Sequence, residues 1–326
     1  MSNKILYFPY IRLPRSPWLA QMLLYWDQVG SIVPYEYLHE PARLGSYMQE
    51  LLQQELVTQV VPGPFIHRLP RFEIEFERYL RGPGIELDRR RAHFNRGNAV
   101  RIHMEKMGNL PQLLVDLQLA RRTNGPWVRV ELETSNDFMA YLAATLGRES
   151  EIDSTPMTDR LDDLQHLLQA GVPEQDREQQ LQLVRLQILD QILPMPDHTV
   201  SASDIRNFKD RYGTHLPDFR RRVERELIAI AGLPDDDLRQ RQTRLFLEEA
   251  HDRIRVIQEH MGRAGWRAVL GKVCTIAAAT PGVPQPLGLL NAIREVVGGQ
   301  PATAPQKDFA YAAYASANLG GGRRSV

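Results

Sequence analysis

Apolar residues fall in blocks whose spacing changes along the chain. Ile5 to Ile11 is rich in aromatic and β-branched residues, the pattern of a buried strand. Ser16-Pro17 then reads as a helix start, with the serine as N-cap and the proline in the first turn. Trp18, Met22, Tyr25 and Trp26 recur at three- and four-residue spacing on one face, and Gly30 is read as the helix end. Ser31–Val33 continues as a short strand. A second helix over 41–56 leads into the strand Val57-Thr-Gln-Val-Val61, closed by Pro62-Gly63-Pro64. This β-α-β-α-β alternation favours a parallel sheet, so the first two strands are expected side by side.

The middle of the chain alternates less regularly. A helix is expected over 71–80 through Phe72, Phe76 and Tyr79, although Phe72-Glu-Ile-Glu-Phe76 also has a strand's period. Residues 110–121 read as a helix with Pro111 in its first turn. Trp127-Val-Arg-Val-Glu-Leu132 reads as a strand, and Ser135 as the opening of a helix carrying Phe138, Tyr141, Leu142 and Leu146. Beyond Thr158-Asp159, itself a helix-start pair, only the helical period remains. It runs through Leu161, Leu164 and Leu168, then Gln179–Leu193, then Phe208 to Ile230 with a break near Gly213. After the turn at Leu233-Pro234 a long helix carries Leu247, Ala250, Ile254, Ile257 and Met261 as an a/d seam. Two long helices joined by so short a turn are expected to pair antiparallel. The expected fold is α+β and mostly helical: an α/β domain over 1–150, a helical domain over 151–298, and a flexible Gly-, Ala- and Pro-rich tail over 299–326.

Composition narrows the function classes. Forty basic and forty acidic side chains cancel, so any attraction for nucleic acid or anionic lipid has to be local. Five of the forty basic residues are lysines, which leaves 35 arginines. Codon bias explains that excess; phosphate recognition, where the planar guanidinium outperforms an ammonium, is the alternative. Cys274 is the single cysteine, which excludes an internal disulfide and a thiolate metal cluster. The first residues are too short an apolar run, broken by Pro9, Arg12 and Pro14, to be a signal peptide, so the expected location is the cytoplasm. The uncharged stretch 273–293 is broken by Pro281, Pro284 and Pro286 and is expected to pack on the helical domain, not to enter a membrane.

The common motifs of P-loop ATPases, dinucleotide-binding folds, α/β-hydrolases and zinc proteases are missing. Three constellations remain. His103-Met-Glu105-Lys106 places an imidazole, a carboxylate and an amine within four positions, a candidate for proton transfer; the alternative is a structural hydrogen bond beside a solvated pair. Arg89-Arg90-Arg91, with His93, Arg96 and Arg101, is the densest basic run and a candidate phosphate site, or else a solvated loop. Glu131 and Glu133, on one strand face with Arg129, are candidate metal ligands or, more simply, an edge-strand salt-bridge face. No cofactor is predicted.

Several short segments resemble a bacterial domain family with no assigned activity. They are Leu6-Tyr-Phe-Pro-Tyr10, Leu24-Tyr-Trp-Asp27, Ile102-His-Met-Glu-Lys106, Tyr141-Leu-Ala143, Pro156-Met-Thr-Asp159, Phe208-Lys209 and Phe219-Arg220. The resemblance implies kinship across residues 5–230 and no catalytic residues. Genes of this kind in variable bacterial regions sometimes belong to anti-phage systems. The leading expectation is therefore an interaction or sensor protein, one component of an assembly, whose partner is another protein or a second copy of the chain. The alternatives are an enzyme or binder of a phosphorylated ligand or nucleic acid, and a membrane-perturbing effector acting through 273–293.

Overall fold

The structure, a computed structural model, describes residues 3–160, 175–194, 200–263 and 308–319. The chain divides into two compact units, residues 1–179 and 180–326. The expected boundary at 150 is corrected, because a strand at Thr155–Met157 completes the sheet of the first unit.

The first unit opens with β1 (Lys4–Tyr7), α1 (Pro17–Tyr25), β2 (Gln28–Ile32), α2 (Ser46–Gln53) and β3 (Val57–Val60). These strands and β7 (Thr155–Met157) form an all-parallel sheet in the order β3-β2-β1-β7. Ile5, Leu6 and Tyr7 are all buried, as a central parallel strand covered on both faces requires. Ser16 caps α1 as expected, its hydroxyl accepting the Leu19 amide at 3.4 Å. Gly30 does not end the helix. It lies inside β2, where a Cβ would stand 2.9 Å from Leu6 Cδ1, so close contact with β1 requires the missing side chain. The helix expected over 41–56 is also shorter, with a separate 3-10 turn at Pro41–Leu44 preceding α2.

Next come α3 (Phe72–Leu80), α4 (Leu87–Asn95), β4 (Ala99–His103), α5 (Leu110–Asp116), β5 (Ala120–Arg122), β6 (Trp127–Glu131) and α6 (Leu132–Gly147). The strands build an antiparallel sheet in the order β4-β6-β5, so β6 is central and not an edge. α5 stops short of the expected Arg121 because Gln118 turns left-handed at φ 60° and Leu119 leads into β5. α6 begins before Ser135 because the Glu131 carboxylate accepts the amides of Glu133 and Thr134 and so caps the helix earlier. Arg89–Arg91, expected in a loop, lie on α4.

α7 (Gln175–Ile192) crosses the boundary between the units, and the second unit continues with α8 (Ala202–Tyr212), α9 (Leu216–Ala231), α10 (Asp236–Arg263) and α11 (Ala310–Leu319). A capping box of Ser201 and Asp204 starts α8. α9 and α10 pair antiparallel: Arg222 meets Glu249 at 2.9 Å, and Gln242 donates to Glu226 at 2.6 Å. The buried side of α10 runs through Thr243, Phe246, Ala250 and Ile254, so Phe246 takes the place expected for Leu247. The expected tail is corrected over 308–319. There Tyr311, Ala312, Ala313 and Ala315 are buried, and Phe309 packs between Phe219 and Phe246. The stretch 273–293 lies outside the described residues, among which no helix is long and apolar enough to cross a membrane.

Candidate functional site

Strand alternation gives the antiparallel sheet two unlike faces. Ile102, Val128, Val130 and Ala120 point one way and are buried. The opposite face carries Arg101 on β4, Arg129 on β6 and Arg121 on β5. Arg129 pairs in register with both of the others, so three arginines form one row across three strands. All three are exposed, and none has a carboxylate within ion-pair distance among the described residues. Like charges directly opposite one another cost sheet stability, so packing alone does not favour this row. In the next row Trp127 faces His103, with the rings edge to face at 5.1 Å, and the Arg101 guanidinium lies 5.5 Å from the indole centroid. Glu131 is the only acid in these strands, and its carboxylate is consumed in capping α6, where Thr134 Oγ1 also donates to it at 2.8 Å.

The end of β4 leads into the second part of the site. His103 is its last residue, and Met104–Lys106 form a 3-10 turn in which the Glu105 amide donates to His103 Nδ1 at 3.4 Å. Glu105 in turn accepts the Tyr35 amide at 2.8 Å, and its side chain lies 3.4 Å from where a Cβ on Gly63 would stand. Tyr35 follows β2 and Gly63 follows β3. The turn therefore sits at the carboxyl ends of two parallel strands, the edge on which open α/β sheets hold ligands. Glu36 and Arg43, ion-paired at 3.3 Å, flank the same place. Lys106 is 3% exposed and its amine forms no hydrogen bond or ion pair among the described residues. Burial pushes its amine down to about 7, against a small opposing effect of Glu105. Burial also lowers the His103 imidazole, with Glu36 and Glu105 opposing, and its Nε2 is buried without a partner.

The remaining candidates are placed elsewhere. Arg89 meets Glu133 at 2.6 Å, Arg90 meets Asp137 at 2.7 Å, and Arg91 meets Asp88 at 2.8 Å. The consecutive run is thus already neutralised by carboxylates, whereas Arg96 and Arg101 of the expected phosphate set are exposed and form no ion pair among the described residues. Glu131 and Glu133 do not share a strand face, since the strand ends at Glu131. They converge with His93, all offering ligand atoms within 4.8 Å of one another. Both Glu131 oxygens are occupied by the α6 cap, and Glu133 is bound by Arg89 with Arg90 at 3.8 Å, so a cation would meet two guanidinium groups. At the carboxyl ends of β1 and β7, Tyr7 donates to Asp159 at 2.9 Å and Arg160 donates to the Tyr10 hydroxyl at 2.7 Å. Burial, aided by Asp159, raises the Tyr7 phenol. The Arg160 amide donates to Thr158 Oγ1 at 3.2 Å; the helix expected to start at this pair, through Leu161, Leu164 and Leu168, lies outside the described residues.

No family model matches the chain, and neither does any curated protein or solved structure. The geometry alone therefore carries the functional argument. Arg121 and Trp127 were not singled out in the sequence. The signal that could have found them is the lack of any acid over 92–104 and 117–130, two segments that supply all three strands of the sheet.

Proposed function

We propose that the protein binds a phosphate-rich anionic partner on the outer face of its antiparallel sheet. The supporting observation is the row Arg101–Arg129–Arg121, exposed and without carboxylate partners among the described residues. An arginine row of this kind is a cost to the folded protein alone and a gain once phosphates lie across it. Guanidinium groups match phosphate oxygens in a planar, two-pronged geometry. The acid-free segments keep the local potential positive although the net charge is zero. On this reading the protein is an interaction component of a cytoplasmic bacterial assembly, of which an anti-phage system is one example.

The test is a titration of a labelled inorganic polyphosphate at rising salt. Each phosphate contact contributes about 0.7 to 0.9 to the slope of log K against log salt, so three contacts give a slope of about −2 to −3. Replacing Arg101, Arg121 and Arg129 together by Gln abolishes that slope, with circular dichroism unchanged. No binding by the parent protein at low salt overturns the reading.

A second reading is favoured by one observation, the buried Lys106 amine with a pKa near 7 at the carboxyl edge of the parallel sheet. It is a small-molecule or catalytic centre for a phosphorylated ligand, with His103 and Glu105 as the proton-handling groups. Thermal stabilisation by such a ligand that disappears in Lys106→Met supports it. A panel of phosphorylated metabolites that leaves the melting point unmoved removes it.

A further inference from the structure

We propose that the anionic partner is a single-stranded nucleic acid whose bases stack on the Arg101–Trp127 pair. This rests on the reading above and narrows it. A partner recognised by charge alone, such as polyphosphate, has no use for an aromatic ring, yet the row of arginines adjoins one. Trp127 is two residues from Arg129 on the same strand and face, is half-buried, and carries the Arg101 guanidinium 5.5 Å from its ring centroid. The His103 ring braces the indole from the neighbouring strand at 5.1 Å. Arg101 is exposed and lies over that ring, so a base can reach the guanidinium and the indole at one place. Unpaired bases stack both on aromatic rings and on arginine planes, with phosphates held by nearby cations.

Dimensions favour a single strand over a duplex. Neighbouring strands lie about 4.8 Å apart, so the outer arginines of the row are separated by about 10 Å of sheet, before side chains are added. A B-DNA major groove of about 12 Å admits a helix or a two-stranded ribbon, and this three-stranded sheet is broader. Duplex bases are also enclosed by their own stacking and do not reach a ring on the face of a sheet. A single strand laid along the row can set phosphates against Arg129 and Arg121 while one base turns onto Arg101 and Trp127. Stacking on a ring and ion pairing with phosphates are open to every base, so binding is expected to be tolerant of sequence.

The experiment compares oligothymidylate, oligouridylate, a duplex of the same length and a polyphosphate of the same charge. Each is titrated against the full chain, Trp127→Leu, Trp127→Phe and Arg101→Lys. The parent protein is expected to bind either single strand about tenfold or more tightly than polyphosphate, from stacking worth about 1 to 3 kcal/mol per base. Trp127→Leu and Arg101→Lys remove that advantage and leave polyphosphate binding in place, while Trp127→Phe retains most of it. Equal affinity for single strand and polyphosphate overturns the inference and leaves the broader anion-binding reading intact. A duplex that binds as tightly as the single strand also overturns it. Failure of every polyanion at low salt sinks both. If Trp127→Leu does not fold, exposed Arg101→Lys decides the question, because it keeps the charge and removes the plane.

Discussion

Two groups of three arginines sit in the same unit and have opposite fates. Arg89, Arg90 and Arg91 are consecutive in the chain, and the helix turns them toward Glu86 and Glu133, Asp137, and Asp88. Arg101, Arg121 and Arg129 are scattered over 29 positions, and strand register sets them side by side with no acid opposite. The dense run is neutralised and the dispersed set is not. Charge density along a sequence therefore says little about available charge. What matters is the periodicity of the element, because α4 carries its arginines past carboxylates on α6, whereas the sheet repeats one residue type across its outer face.

The largest effect expected from this contrast is on folding. Arg90 and Asp137 have side chains 4% and 0% exposed and meet at 2.7 Å, with Thr134 Oγ1 also accepting from Arg90 at 3.2 Å. Removing one member strands the other charge out of water, so Arg90→Ala is expected to cost about 3 to 5 kcal/mol in urea unfolding. A loss under 1 kcal/mol would show that the pair is not a buried ion pair, and the distinction between the two arginine groups would lose its basis.

Lys106 sharpens the comparison as a third kind of cation, buried like Arg90 and unpaired like Arg129. Its drop from 10.5 to about 7 corresponds to at most about 5 kcal/mol of destabilisation. Below pH 7 both folded and unfolded chains carry the proton, and the full penalty of a buried charge is present. Between about 7 and 10.5 the unfolded chain holds a proton that the folded chain has released, so stability rises with pH across that window. Lys106→Met is expected to stabilise the protein by a few kcal/mol at pH 6.5, with a gain that shrinks by pH 9.5. A destabilising Lys106→Met at both pH values would mean that the amine has a partner and is not a strained centre.

The parallel sheet was largely legible because buried strands and capped helices leave local signatures: Ile5-Leu-Tyr7, the Ser16-Pro17 start and the 57–60 strand all lie close to where their patterns put them. Gly30 misled because a glycine is read as a stop unless its strand neighbours are known, and here Leu6 fills the space a side chain would need. Ser135 misled because the side chain that caps α6 belongs to Glu131, a residue the alternation had already assigned to the strand. His103, Glu105 and Lys106 stand out by residue type, but the meeting of Glu105 with Tyr35 and Gly63, and of His103 with the charge of Glu36, spans about 40 to 70 positions. The arginine row needed the register of three strands, and no local pattern supplies that.

A smaller effect separates the two groups in binding. The double variant Arg89→Gln, Arg91→Gln touches side chains already engaged by Glu133, Glu86, Asp88 and the Leu117 carbonyl, so it is expected to leave the salt dependence of polyanion binding unchanged. The variant Arg121→Gln, Arg129→Gln is expected to lower the slope by about 1.4 on a single strand. Equal losses from the two variants would erase the contrast between neutralised and available arginines.

The smallest effect concerns stability at the row itself. Arg129 is flanked by a like charge on each side and its side chain makes no hydrogen bond or ion pair among the described residues, so its charge gives nothing to the isolated fold. Arg129→Gln keeps a long polar side chain on an exposed strand position and removes two repulsions. A gain of about 0.2 to 0.5 kcal/mol is expected in low salt, within the range of ordinary surface substitutions. Screening separates this gain from any change in strand propensity, since the Debye length falls to about 3 Å at 1 M salt and the repulsion falls with it. Paired denaturation curves at low and high salt should therefore show the variant ahead of the parent only in the first. A loss of stability in low salt would mean that Arg129 has a favourable role in the folded protein, and the row could no longer be read as held open for a partner.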